Sequence, residues 1–321
     1  MHRFQFNYAL FFLVLTVCLL GTSQLVGAPP KTVKIEPVKH LIDTHIHLYD
    51  TTRGVEFTWP PKEDAVLYKP HLPAEYSKVA KAAGVTGVVV VEASLNYEDN
   101  RWVLDLVEDD SFYVGLVANI DVSSEDFEQR LLKLKGDKRL VGIRPRSREP
   151  INYSDERVLA NLRILAQNNL TMDYLTNGGG IPGIQAIDRV AREIPSLRIV
   201  VNHCLGYNFD GNAPSEGWIA AVKHLAENRN VSCKISGLYQ RSVPQPAPQD
   251  ISHYESVLSV LWDIFGKDRL IYGSNWPVTK HTGSYASFVN LVDQFISNKG
   301  QDAREHFYWI NAATAYRLPL E

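Results

Sequence analysis

The pentapeptide Asp43-Thr44-His45-Ile46-His47 concentrates groups that can hold a proton, a metal ion or a substrate oxygen. It continues the run His40-Leu41-Ile42, which reads as a short strand. Side chains alternate along a strand, so Asp43, His45 and His47 are expected on one face, with the imidazoles about 7 Å apart at ~3.4 Å per residue. Two nitrogens at a strand end suit one metal ion or one substrate oxygen. A pair of surface histidines is the plainer alternative. It fits less well, because three polar residues on one face of an apolar strand are costly to bury without a partner.

Further groups stand at the ends of other apolar runs. Arg144 and Arg146 share a strand face and read as a carboxylate clamp, or as an ion pair with Glu92 or Asp173. His203 follows Arg198-Ile-Val-Val-Asn, and taken alone it could equally be a core histidine. Lys234 is expected to face inward, either paired structurally or touching substrate. Tyr174, with Thr176 and Asn177, closes another run, and Asn275 with Trp276 follows the last. Trp276-Pro277 is expected to turn at a rim. Trp59, Tyr68 and Tyr239 could stack on a sugar or planar ring, or could simply pack their own loops.

These residues need a frame. Apolar runs over 41–45, 85–92, 112–119, 140–144, 170–175, 198–203, 231–236 and 269–273 alternate with amphipathic stretches over 73–83, 100–108, 124–135, 155–167, 183–193, 216–227 and 254–265. Helical patterns over 285–296 and 303–316 close the chain. Such alternation implies parallel strands joined by helical crossovers. The near-continuous apolarity of Val88-Val89-Val90-Val91 fits strands buried on both faces. Eight units predict an α/β fold of the TIM (β/α)8 barrel type, which takes ~250 residues. An open doubly wound sheet is disfavoured, since no Gly-rich nucleotide loop follows the first strand. In a barrel the strand C-termini carry the chemistry, and here they hold His45, His47, Glu92, Asn119, Arg144, Tyr174, His203, Lys234 and Asn275. The long connection 49–71 reads as a binding loop or lid. The proline-spaced connection around Pro244, Pro246 and Pro248 reads as a cleft wall or a solvated link.

The chain has 321 residues, 45% apolar and 21% charged, at a net charge of −3. This is a globular composition with no basic excess, which argues against nucleic acid as the main partner. His2 and Arg3, an apolar run from Tyr8 to Leu20 and small residues up to Ala28 give segment 1–28 the pattern of an export signal or N-terminal anchor. The protein is therefore expected to be exported, periplasmic or secreted, and to touch a membrane only if that segment stays uncleaved. Residues 29–39 read as an extended tether and 40–321 as the barrel. Cys204 and Cys233 are expected to be buried thiols.

Four motifs in order carry a family resemblance: Asp43-x-His45-x-His47; Arg198-Ile-Val-Val-Asn-His203-Cys204; Val231-Ser-Cys-Lys-Ile-Ser-Gly-Leu238; and Phe265-Gly-Lys-Asp-Arg-Leu-Ile-Tyr-Gly-Ser-Asn-Trp-Pro-Val278. From about Leu41 to Leu318 the chain resembles the amidohydrolase-2 family, and within it the sugar-lactone and muconolactone-type lactonases. The resemblance implies a TIM barrel and hydrolysis of a lactone or related cyclic ester. It makes His45, His47 and His203 catalytic residues and ligands of one divalent metal such as zinc, which would polarise the carbonyl. Arg144, Arg146, Tyr174, Lys234 and Trp276 fall on the substrate side.

The family's usual eighth-strand aspartate is Asn275 here, and an amide cannot take a proton from water. Asn202 stands where an Asp often precedes the sixth-strand histidine, and no fifth-strand histidine is present, so a two-metal site is not expected. Three histidines with an open position can acidify a zinc-bound water. A metal-free route, with the histidines and Asn275 orienting the carbonyl, stays open beside it. Two other functions remain: a non-oxidative decarboxylase of the same family, and a retired barrel that only binds a ligand.

Overall fold

The computed structural model describes residues 37–55, 58–176 and 180–319; segment 1–28 and most of the tether lie outside them. Eight parallel strands follow in sequence order: β1 (Ile42–Ile46), β2 (Gly87–Val91), β3 (Tyr113–Ala118), β4 (Leu140–Ile143), β5 (Thr171–Tyr174), β6 (Arg198–Val201), β7 (Val231–Ile235) and β8 (Leu270–Tyr272). Each strand ladders to the next in parallel register. β1 and the end of β8 close the ring. His47 N donates to Trp276 O at 2.8 Å, Asn275 N to His45 O at 2.8 Å, and Thr44 Oγ1 to Tyr272 O at 2.5 Å. The chain is a TIM (β/α)8 barrel, as its alternating pattern predicts.

The apolar residues divide by face. Ile42, Val89, Val91, Val117, Val141, Val200 and Ile271 fill the barrel interior. Leu41, Ile46, Val88, Val90, Met172, Ile199 and Tyr272 face the helical shell. The last helical turns, Asn311–Tyr316, cap the floor with Ala312, Ala315 and Tyr316. Thr171 Oγ1 and Arg198 Nε both donate to Ala315 O, at 2.5 and 2.9 Å, which ties that cap to β5 and β6.

β1 departs from strict alternation. Its pairing with β2 slips by one residue between Asp43 and Ile46. Such a bulge turns the side chains on either side of it to opposite faces. Asp43 therefore does not share the face of His45 and His47. It points into the helical shell, where Oδ2 accepts from Tyr76 and Tyr285 hydroxyls at 3.0 and 2.8 Å. Its Oδ1 accepts from Ser274 N and His45 N at 2.8 and 3.0 Å. The carboxylate is fully satisfied, and its job is to hold β1 against the turn after β8.

The long connection after β1 shapes the cleft, whereas the proline-spaced connection around Pro244, Pro246 and Pro248 does not line it and is the solvated link. The connection after β1 closes at its base by paired bonds between Tyr49 and His71, at 3.1 and 2.8 Å, and folds Trp59 over His47 with ring centroids 5.2 Å apart. After β7, the short turn Tyr239–Arg241 directs Gln240 and Arg241 into the mouth of the barrel. Tyr239 itself is buried against Phe288, so it is not a stacking surface for substrate. Cys204 and Cys233 are free, buried thiols.

Candidate active site

A cavity of about 910 Å³ opens at the C-terminal ends of the strands. His47, His203 and Asn275 form its floor, and Arg144, Arg146, Trp59, Tyr174, Thr176, Gln240 and Arg241 stand in its walls. His45 lies just beneath, fully buried, with its ring centroid 5.0 Å from His47 and 4.5 Å from His203. The three histidines expected from strands one and six thus converge.

Each imidazole has a distinct environment. His47 Nδ1 lies 3.0 Å from Val91 O, and a carbonyl only accepts, so the proton sits on Nδ1 and the Nε2 lone pair faces the cavity. Burial, with the Arg144 charge second, pushes the His47 pKa down to about 3, and the Val91 carbonyl only partly opposes this. His203 Nδ1 meets Ser236 Oγ at 2.8 Å. Burial followed by the Arg144 and Arg241 charges holds His203 well below the ordinary histidine range. His45 is held equally low, by burial first and then by His203 and Lys234. All three rings are neutral at pH 7.

The backbone at His203 is unusual. His203, Cys204, Leu205 and Gly206 have φ values of 51°, 51°, 57° and 71°, one turn of left-handed helix. For L-residues this costs ~1–2 kcal/mol per residue, and such strain concentrates at functional sites. The turn lays the His203 ring flat on Gly237. A Cβ there would come within 2.8 Å of His203 Nδ1, so a glycine is required.

Asn275 also occupies the left-handed region, at φ 58°, which asparagine tolerates better than most residues. Its Nδ2 donates to Gln240 Oε1, and its side chain lies beside His47. With Nδ2 engaged, Oδ1 remains as an acceptor beside the His47 lone pair.

The two arginines expected to clamp a substrate carboxylate are occupied. Arg144 Nε donates to Glu92 Oε1 at 2.7 Å and its Nη2 to Glu92 O at 2.9 Å, with both side chains almost wholly buried. Arg146 Nη1 bonds the other oxygen of the same carboxylate at 3.2 Å. The ion-pair alternative is the one realised, and a free two-arginine clamp is not present. Two further expectations are corrected. Lys234 is fully buried in the barrel interior, bonded to Asp173 Oδ2 and Thr44 O at 2.8 Å each, so it is out of reach of substrate. Trp276 is 2% exposed and packs on Tyr76 and His71 behind the site. Tyr174 does line the cavity, with its hydroxyl tied to Gly183 O at 3.1 Å.

The donor set does not fit a three-histidine metal centre. Arg144 Nη1 lies 3.3 Å from His45 Nε2, and Lys234 Nζ lies 3.4 Å from His45 Nδ1. Both nitrogens of His45 therefore face cationic donors, and neither offers a lone pair to the cavity. Among the described residues, no group of three or more His, Cys, Asp or Glu side chains is placed to hold a metal ion. Expectation missed Gln240 and Arg241; the signal was available, since both follow β7 within six residues of its end, where barrel chemistry sits.

The amidohydrolase family model, Amidohydro_2, matches residues 42–318. The chain belongs to the amidohydrolase-2 family and is a lactonase-like hydrolase. Among its relatives, an L-fucono-1,5-lactonase of Burkholderia ambifaria is 31% identical over 86% of this chain and 95% of its own. A crystal structure of a Burkholderia multivorans amidohydrolase with bound zinc superposes with a TM-score of 0.77 at 24% identity, over 87% of this chain and 100% of that one. A 5-carboxyvanillate decarboxylase from Sphingomonas paucimobilis shares the fold at a TM-score of 0.60 and 12% identity, over 87% and 99%.

Proposed function

We propose that this chain hydrolyses a small lactone in the barrel-mouth cavity, using His47 and Asn275 to hold the attacking water. The observation that carries the reading is the fixed tautomer of His47, whose Nδ1–H is committed to Val91 O and whose Nε2 lone pair faces the cavity. A water donating one hydrogen to that lone pair and the other to Asn275 Oδ1 directs its own lone pair at the substrate carbonyl. Holding the two reactants at that geometry lowers the barrier without a strong base.

Attack forms the new carbon–oxygen bond and places negative charge on the carbonyl oxygen. His203 can meet that charge if Ser236 donates to its Nδ1 and leaves Nε2–H facing the cavity. Arg144, which keeps N–H groups beyond those given to Glu92 and His45, stands in the adjoining wall. Preorganised donors of this kind are worth about 10²–10³ in kcat each. The ring carbon–oxygen bond then breaks, and the water proton passes across His47 Nε2 to the departing ring oxygen. His47 holds that proton only in transit, given its depressed basicity. The product is an open hydroxy acid. The relative named as an L-fucono-1,5-lactonase supports a sugar-derived substrate.

The test is a pH-stat assay across a panel of γ- and δ-lactones, with carbon dioxide release followed in parallel on aromatic acids. One acid equivalent per lactone opened is the expected result. Carbon dioxide release with no lactone turnover would make the barrel a decarboxylase, and tight binding with no turnover a retired one. We also propose export, supported by the signal-like composition of 1–28. No described helix is long and apolar enough to cross a membrane. N-terminal sequencing of the mature protein that begins at Met1 would refute cleavage.

A further inference from the structure

Four arginines, Arg144, Arg146, Arg148 and Arg241, line the cavity, and Arg241 differs from the pair at Glu92 in one respect. Arg144 and Arg146 share the Glu92 carboxylate. Arg241 has no carboxylate partner among the described residues. Its Nη1 donates to Gly206 O at 2.9 Å, and among the described residues its Nε is buried with no partner and its Nη2 meets no acceptor. A half-buried guanidinium without a counter-ion is costly, and the cost is removed when an anion arrives.

A second unpaired group lies beside it. Thr176 is 4% exposed, and its Oγ1 has no partner among the described residues. Both groups converge on Gly206, the last residue of the left-handed turn that begins at His203. A Cβ on Gly206 would run into Thr176 Oγ1 and would sit 3.6 Å from Arg241 Cζ. The turn therefore has to end in glycine, and its absent side chain lets the hydroxyl and the guanidinium approach each other in the wall next to His203.

We propose that Arg241, with Thr176 beside it, is a recognition site for a carboxylate that the substrate carries in addition to its lactone ring. This deepens the lactonase reading and rests on it: the substrate class becomes the lactone of a sugar diacid rather than of a neutral aldonic acid. A carboxylate suits the site because two parallel N–H donors of a guanidinium match its two oxygens. Burial alone draws the Arg241 pKa down, with only the Cys204 thiol opposing, as expected of a cation that still lacks its counter-charge. The cavity, at about 910 Å³, has room for a ring with a charged arm.

The test compares glucaro-1,4-lactone, which keeps a free carboxylate, with the neutral galactono-1,4-lactone, in the full-length protein and in Arg241→Gln and Arg241→Lys. The readout is the ratio of the two kcat/KM values. Wild type should favour the charged lactone, and Arg241→Gln should lower the ratio by roughly 10- to 100-fold, the worth of a lost charge-assisted bond. Arg241→Lys keeps the charge but not the fork and should fall between them. A ratio unmoved by Arg241→Gln, or a wild type that favours the neutral lactone, overturns the proposal. Calorimetric titration with glucarate and galactonate runs alongside. If neither lactone is turned over but glucarate binding depends on Arg241, the lactonase reading fails and the carboxylate site stands. Glucarate binding that is absent, or indifferent to Arg241→Gln, removes the site whatever the enzyme does.

Discussion

Arg144 Nη1 stands 3.3 Å from His45 Nε2, where a metal ion would have to bond that ring. The guanidinium is fixed there by two bonds to Glu92, through its carboxylate and its backbone carbonyl. Lys234 closes the other side of the same imidazole. For zinc to bind three histidines at ~2.0–2.1 Å, Arg144 would have to leave Glu92. Protein purified without chelator should therefore carry substoichiometric metal, and lactone hydrolysis should survive dialysis against a chelator. One tightly held zinc per chain, with activity lost on its removal and restored by its return, would show that Arg144 does move aside.

The buried histidines also make stability depend on pH. His47 has its pKa at about 3 in the folded chain and near 6.5 when unfolded, and His45 and His203 shift the same way. Between those values the unfolded chain binds more protons than the folded one. Stability is then fully present above pH 6.5 and is lost as pH falls toward 3, by up to about 1.4 kcal/mol per pH unit for each histidine. Thermal melts from pH 7 to pH 4 should show Tm falling steadily, and His47→Gln should flatten the slope. A Tm independent of pH over this interval would mean that these rings are not buried neutral.

Glu92 changes what an Arg144 substitution measures. Arg144→Ala leaves the buried Glu92 carboxylate with Arg146 alone, and breaking a buried pair typically costs ~3–5 kcal/mol. The variant should therefore unfold at clearly lower denaturant, and its activity loss should not appear as a simple rise in KM. Replacing both members, as in Arg144→Met with Glu92→Leu, should recover much of the stability but not the activity. A stable, fully folded Arg144→Ala with only a raised KM would restore the clamp reading.

The barrel was legible because its strands are buried on both faces and so carry unbroken apolar runs, as in β2. The convergence of His45, His47 and His203 was legible for a related reason: strand ends in a parallel barrel all face one mouth. What escaped depended on a single residue of register or depth. The bulge in β1 sends Asp43 outward, and strict alternation has no means of seeing it. Lys234 sits one layer below the floor, a distance that no spacing encodes. Partner choice between Glu92 and Asp173 for the arginines was open for the same reason. Arg241 was overlooked because it follows its strand by several residues and reaches the cavity only through the turn at Tyr239–Arg241.

Asn275 decides whether the site works as built. Its backbone N–H is tied to His45 O at 2.8 Å, its side chain is bonded by Gln240 beside His47, and its φ of 58° is one that asparagine accepts. A residue this constrained acts by position, since an amide supplies no basicity. Asn275→Ala removes the acceptor that orients the water and should lower kcat by ~10²-fold or more, comparable with losing an oxyanion donor, with a smaller change in KM. Gln240→Ala frees the amide to rotate and should produce a weaker version of the same defect. Asn275→Asp would place a charge beside the His47 lone pair and raise the His47 pKa, so its rate should acquire a titration in the mildly acidic range that wild type lacks. The opposite pattern is equally specific. A wild type inert on every lactone, with hydrolysis gained in Asn275→Asp, would mean that this barrel lost its base at β8 and that His47 and Asn275 now hold a ligand rather than a nucleophile.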